Sequence, residues 1–144
     1  MSSSMYQEYI LDHYRQPRNR GRLASPDISH YGVNPLCGDA LRIDVQLDGS
    51  GQRVEKILFS GEGCAISQAS ASIMTELAEG KTLAELQAWT RDDVLNWLGI
   101  PLSPMRLKCA LLALKVLQAG IQQYEQRHRG SPAEAGTAQA ASPS

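Results

Sequence analysis

Hydrophobic and polar residues change period along this chain. In "ALRIDVQLD", Leu41, Ile43, Val45 and Leu47 alternate with Arg42, Asp44 and Gln46, the period of two expected of a half-buried strand. "RVEKILFSG" places Val54, Ile57 and Phe59 less regularly, and "DGSGQ" between the two runs supplies a turn. The pair reads as an antiparallel hairpin. An extended segment around His30 to Asn34 precedes it. Earlier still, "SMYQEYILDHYRQP" spaces Tyr6, Ile10 and His13 or Tyr14 at helical intervals and meets Gln16-Pro17, so a helix is expected over about Ser4 to Tyr14. Arg15, Arg18, Arg20 and Arg22 follow as a short basic knot, read either as a solvated loop or as a docking patch.

From Cys64 onward the pattern is helical. "CAISQASASIMTELAEG" is crowded with Ala and Ser and closes at Gly80, a natural position just past a helix end. Thr82 with Glu85 makes a capping box for a short helix reaching Trp89, and Thr90 caps another that reaches Leu98 before Gly99. Ser103-Pro104 opens a long helix with Leu107, Leu111, Leu114, Leu117 and Ile121 as its core stripe. One face of the sheet is polar and must be wet, so helices should cover the other. The expectation is an α+β fold, a small antiparallel β-sheet of about three strands with helices packed on one face.

Composition narrows the classes. The chain has 144 residues, 42% of them hydrophobic, enough for one modest core. One domain over residues 1–129 is expected, followed by a tail, 130–144, which carries no large apolar residue and reads as disordered. Fourteen Lys and Arg against fifteen Asp and Glu give a formal charge of -1, which offers no global field for nucleic acid or an anionic membrane. No stretch approaches the roughly 20 apolar residues that span a bilayer, and "MSSSMYQEYI" lacks the apolar core of a signal peptide. A cytoplasmic location is expected. Three cysteines are odd in number, and in a reducing compartment they favour metal binding or thiol chemistry over a disulfide framework.

Each cysteine sits at an element boundary. Cys37 precedes a strand in "PLCGD"; Cys64 follows "GEG" at a helix start; Cys109 lies in the first two turns of the long helix. Helix amino termini favour thiolate over thiol. Free cysteines are also among the most buried residues, so three small core hydrophobes is the plain alternative. On a helical wheel, however, Cys109 falls at the margin between the apolar arc and the polar face of Lys108, Lys115 and Gln122. Asp39, two residues after Cys37, is either a turn residue or a partner whose side chain aims the same way. Three thiolates and a carboxylate suit tetrahedral zinc or, with bridging sulfide, iron. The spacing matches no compact zinc-finger ladder, so the residues alone point to a metal site and leave its role open.

"NPLCGD", "GEGCAISQASASIMTE", "RLKCALLAL" and "ILDHYRQPRNRG" together resemble the family of iron–sulfur cluster assembly proteins that includes IscU, SufU and the amino-terminal domain of NifU. The resemblance runs from about Tyr6 to Gln123. It implies an IscU/SufU-like fold and a cluster or zinc site formed by Cys37, Asp39, Cys64 and Cys109. The partners it implies are a cysteine desulfurase, acceptor apoproteins and chaperones, with neither nucleic acid nor membrane among them. His13, His30 and His128 lie outside every matched ligand position and read as structural or solvent-facing.

Lys108 stands where IscU-type members have histidine before the last cysteine; this looks like SufU. SufU-type members also carry an insertion of roughly twenty residues ahead of this motif, for which "WTRDDVLNWLGIPLSPMRLKC" has no room. A protonated lysine cannot ligate a metal, which leaves four protein ligands. Arg106, one turn before Cys109, either hydrogen-bonds Asp39 to help release a cysteine or faces solvent. Two functions stay in view. One is a scaffold holding a transient [2Fe–2S] cluster, with Asp39 as its weak oxygen ligand. The other is a zinc-dependent sulfurtransferase in which Cys37 accepts persulfide sulfur. Either is closer to a scaffold or sulfur acceptor than to a classical enzyme.

Overall fold

The structure is a computed structural model that describes residues 3–35 and 38–129. Its elements are α1 (Ser3–Arg15), β1 (Ile28–Asn34), β2 (Asp39–Leu47), β3 (Val54–Glu62), α2 (Ala65–Ala78), α3 (Leu83–Gln87), α4 (Arg91–Leu98) and α5 (Pro104–Arg129). The alternating run becomes the central strand of a three-stranded antiparallel sheet of order β1-β2-β3. Register sets Ile43 opposite His30 on one side and Phe59 on the other. Thus the α+β architecture expected from the pattern is the one observed.

Leu41, Ile43, Val45, Ile57 and Phe59 are all buried on the inner face of the sheet. Burying each such side chain contributes about 1.5 to 3 kcal/mol, and α2 and α5 supply the opposing surface. The Ala and Ser positions of α2, with Ala69, Ala71, Ser70 and Ser72 all buried, let α5 lie close. Ser70 Oγ donates to the Ala110 carbonyl at 2.7 Å, tying the two helices together. The expected stripe of α5 is buried at Leu114, Leu117 and Ile121, joined by Ala110, Ala113 and Val116. Both short helices are capped as their sequences suggest. Thr82 and Glu85 form the capping box of α3, which ends at Gln87, two residues before the expected Trp89. At α4, Asp93 answers Thr90 as a second capping box, and Gly99 closes the helix at φ 70°.

The wet face needs a correction. Helices do lie on the other side only, yet Asp44 on the polar face is buried. Its carboxylate accepts from Arg22 Nε at 3.1 Å, Leu23 N at 3.1 Å and Ser29 Oγ at 2.7 Å. The segment after α1 crosses that face, because a charged acceptor there gives its backbone a partner that water would otherwise supply. It begins at the β3 edge, where Phe59 N donates to Asn19 O and Gly21 N donates to Phe59 O. Most of the basic knot is therefore structural: Arg18 pairs with Asp12, Arg20 with Gln68 and Gly61 O, and Arg22 with Asp44. Residues 130–144, expected to be disordered, lie outside the described residues. Among the described residues, no helix is long and apolar enough to cross a membrane.

Candidate metal centre

Three elements end at one place. Asp39 is the first residue of β2, Cys64 is the N-cap of α2, and Cys109 lies in the second turn of α5. One ligand atom from each of the three lies within 4.8 Å of the others. Asp39 and Cys109 are each only 1% exposed and Cys64 is half-buried, so the group opens toward solvent on the Cys64 side. Cys109 is deeper than a place at the margin of the apolar arc implies, because α2 covers that margin of α5.

The sequence before Cys64 determines how close these groups come. Gly61 has φ +125°, and a Cβ there would collide with the Ala40 carbonyl of the neighbouring strand, so only glycine lets β3 turn toward α2 beside Asp39. Gly63 matters for a different reason: a Cβ on it would sit 2.7 Å from Asp39 Oδ1 and on top of Ser67 Oγ. With no side chain at 63, the carboxylate reaches the backbone of the helix start. Asp39 Oδ1 accepts from Cys64 N at 3.0 Å, while Oδ2 lies 3.8 Å from Cys64 Sγ. Ser67 Oγ donates to the Cys64 carbonyl at 3.1 Å and is 4.0 Å from the same sulfur. The "GEG" run carries the signal for this approach, although in the sequence alone it marks only a boundary.

The donor set fits zinc. Bonds of about 2.3 Å to sulfur and about 2.0 Å to oxygen hold tetrahedral ligands a little under 4 Å apart, and the three donors already lie within 4.8 Å. Thiolates suit zinc and iron, and the carboxylate is the harder, weaker partner. Cys37, the remaining expected ligand, lies outside the described residues. Arg106 and Lys108 are exposed on the first turns of α5, and among the described residues neither forms an ion pair.

The histidines lie elsewhere. His13 is buried between α1 and α2, with Nδ1 2.7 Å from Ser72 Oγ and Nε2 3.6 Å from Glu76. His30 is half-buried under α5, and exposed His128 packs on Tyr124.

Comparisons with known proteins agree with this layout. The family model for the NifU-like N terminal domain matches residues 5–131. The iron-sulfur cluster assembly scaffold protein IscU 1 of Archaeoglobus fulgidus is 37% identical over 120 residues, covering 83% of this chain and 76% of that protein. The zinc-dependent sulfurtransferase SufU of Bacillus subtilis is 36% identical over 139 residues, covering 85% of this chain and 92% of that protein. The crystal structure of the N-terminal part of a nitrogen-fixing NifU-like protein from Brucella abortus superposes with a TM-score of 0.71 over 88% of this chain and 99% of that one, a likeness of fold at 23% identity. With its family model matched over residues 5–131 and relatives above 30% identity, the chain belongs to the family of NifU-like N-terminal domains, with IscU and SufU among its relatives.

Proposed function

We propose that this protein is a scaffold for iron–sulfur cluster assembly. It receives ferrous iron and persulfide-level sulfur delivered by a cysteine desulfurase, holds them as a [2Fe–2S] unit on Cys37, Cys64, Cys109 and Asp39, and passes that unit to acceptor proteins; the reduction of sulfur to bridging sulfide draws on the electrons given up by the irons and on an external thiol or electron-transfer reductant. The observation that carries the reading is the convergence of Asp39, Cys64 and Cys109. The cluster is cargo, so the chain's task is to bind it well enough to build and weakly enough to release. Sulfur donors alone would hold iron tightly; one carboxylate oxygen lowers that grip. Asp39 remains in place when the cargo leaves, because Oδ1 is occupied by the Cys64 N–H. Arg106 is assigned the part of helping a ligand exchange, on the strength of its place one turn before Cys109 with a guanidinium that is exposed and forms no ion pair among the described residues. The working unit is residues 1–129. Its thiol chemistry requires a reducing compartment, in keeping with the cytoplasm.

A second reading has its own support. Lys108 before Cys109, together with the SufU relative, favours a zinc-dependent sulfurtransferase in which Cys37 takes persulfide sulfur from a desulfurase. Zinc, when bound, would fix the thiolates and keep them deprotonated. The alignments weigh the other way. The one with SufU runs over 139 positions while covering 85% of this 144-residue chain, which leaves gaps on this chain's side; the one with IscU 1 runs over 120 positions and covers 83%, which leaves essentially none. An insertion in SufU that this chain lacks would produce that difference.

One experiment separates them. Zinc-free protein, supplied without oxygen with a desulfurase, cysteine, ferrous iron and a thiol reductant, is expected to develop the visible absorption of a [2Fe–2S] centre and to deliver it to an acceptor apoprotein. If zinc-free protein forms no cluster, and the zinc form alone accelerates desulfurase turnover through a persulfide on Cys37, the scaffold reading is wrong and the transferase reading stands. Cys→Ala at Cys37, Cys64 or Cys109 should each sharply reduce retained metal, and full retention in all three would remove the site.

A further inference from the structure

Helix α5 carries a repeat on its outer side that neither the core nor the metal centre uses. Lys108 and Lys115 are exposed and seven residues apart, which puts them on one side of the helix about 10 Å apart along its axis. Neither forms an ion pair among the described residues. Between them lie half-buried Leu111 and buried Leu112, at the three- and four-residue steps that share that side. Val33, 53% exposed, and Pro35 line the opposite wall of a groove of about 350 Å³. An apolar floor thus runs between two cations, and the sequence places it beside the ligands: Lys108 precedes Cys109, and Pro35 is two residues before Cys37.

Spacing and charge decide what fits. A single exposed lysine is ordinarily solvated and selects nothing. Two of them about 10 Å apart match a second helix laid nearly parallel to α5, because any α-helix repeats its surface after seven residues with that same rise. Acids at i and i+7 of such a helix reach both lysines at once, and an apolar residue at i+4 lies on that same face, between them and over the groove. In an extended segment, residues of one face recur at about 7 and 13 Å, which straddles the lysine spacing without meeting it. A second copy of this chain does not supply the pattern either, since none of its helices α1 to α5 carries two acids seven residues apart.

We infer that this groove is a docking site for an acidic amphipathic helix of a partner protein. Its carboxylates at i and i+7 face Lys108 and Lys115, and one large apolar side chain at i+4 enters between Leu111, Leu112, Val33 and Pro35. The buried side chain supplies affinity and the paired charges fix register. The inference is independent of the scaffold reading, because it concerns what docks beside the metal centre and not what is built there.

The test uses the full chain and alanine-based helical peptides at low salt, with binding read by fluorescence anisotropy and the contact located from amide shifts in isotope-labelled protein. The first peptide carries Glu at i and i+7 and Leu at i+4. It is expected to bind and to shift amides within 33–34 and 108–115. Moving the second Glu to i+5 turns it well away from the first, and affinity should fall about fivefold, the size of one exposed ion pair. A central proline, which breaks the helix, should weaken binding further. Lys115→Glu should weaken the first peptide on the order of tenfold, and one of the two peptides with a single Glu→Lys change should restore binding to that variant while binding the wild type poorly. The rescue shows that the variant is folded. No binding of the first peptide, equal binding of the i+5 or proline peptide, shifts confined to other surfaces, or failure of both exchanged peptides to rescue would each overturn the proposal. So would self-association of the protein that competes with the peptide, which would put a second copy in the groove.

Discussion

The Asp39 carboxylate divides its oxygens between two parts of Cys64: Oδ1 takes the backbone N–H at 3.0 Å, and Oδ2 faces the thiol sulfur at 3.8 Å. One side chain thereby positions the start of α2 and offers a donor to the metal. The two roles can be separated by substitution. Asp39→Asn keeps an oxygen for the Cys64 N–H and removes the charge, so it should melt near wild type while retaining less zinc and altering cluster transfer. Asp39→Ala removes both and should cost a further amount of about 1 to 3 kcal/mol, since a backbone donor loses its acceptor. Calorimetry alongside metal analysis checks this, and equal melting temperatures for the two variants would show that the Oδ1 bond carries no stability.

Gly63 should behave as part of the centre although it has no side chain to contribute. A methyl group there would meet Asp39 Oδ1 at 2.7 Å and overlap Ser67 Oγ, forcing the carboxylate out of line with Cys64. Gly63→Ala is expected to fold, with zinc affinity lowered by at least an order of magnitude, because misplaced ligands cost binding directly. Pairing it with Ser67→Ala relieves one clash and leaves the other. The double variant should therefore recover little, and full recovery would locate the strain at Ser67 alone.

The periodic parts of this chain were readable because local chemistry and tertiary burial agree there. Leu41 through Leu47 alternate and are buried as they alternate; Thr82, Thr90 and Gly99 cap as their side chains or backbone freedom dictate. The convergence of Asp39, Cys64 and Cys109 was legible only as a set of boundary positions plus a family resemblance, since their separation in sequence carries no distance. What stayed hidden depends on long-range partners. Asp44 reads as an outward strand residue until Arg22 and Leu23 fold over it, and His13 gives no sign that its partner is Ser72, 59 residues away. Cys109 appears half-polar on a wheel because the wheel omits the helix that covers it.

Helix α5 crosses the sheet at Gly32, where an added Cβ would lie 2.6 Å from Val116 Cγ2. The valine fills the space that the missing side chain leaves, so the pair should couple. Gly32→Ala alone should destabilise by about 1 to 3 kcal/mol through overpacking. Val116→Ala alone should lose a smaller, cavity-type amount. Combined, they should cost less than the sum of the two, and additive values from denaturant titration would mean that α5 shifts freely instead.

His13 gives the fold a dependence on pH. Burial pushes its pKa below the ordinary 6.5; the positive charge of Arg18 acts in the same direction, while Glu76 and Asp12 oppose it. The folded state thus favours the neutral ring, whose Nδ1 meets Ser72 Oγ. A base with a depressed folded pKa contributes its full stability above the unfolded value and loses it as pH falls. Stability should therefore decline as pH drops from about 6.5 toward 5, the range in which an unfolded histidine gains its proton and the buried one resists. His13→Gln, which retains a polar side chain without the titration, should be less stable at pH 7.5 and flatter across this range. The comparison is made on metal-free protein, because protonation of cysteine ligands would add its own pH dependence. Parallel curves for the variant and the wild type would show that another group sets the decline, and would release His13 from any part in the acid response.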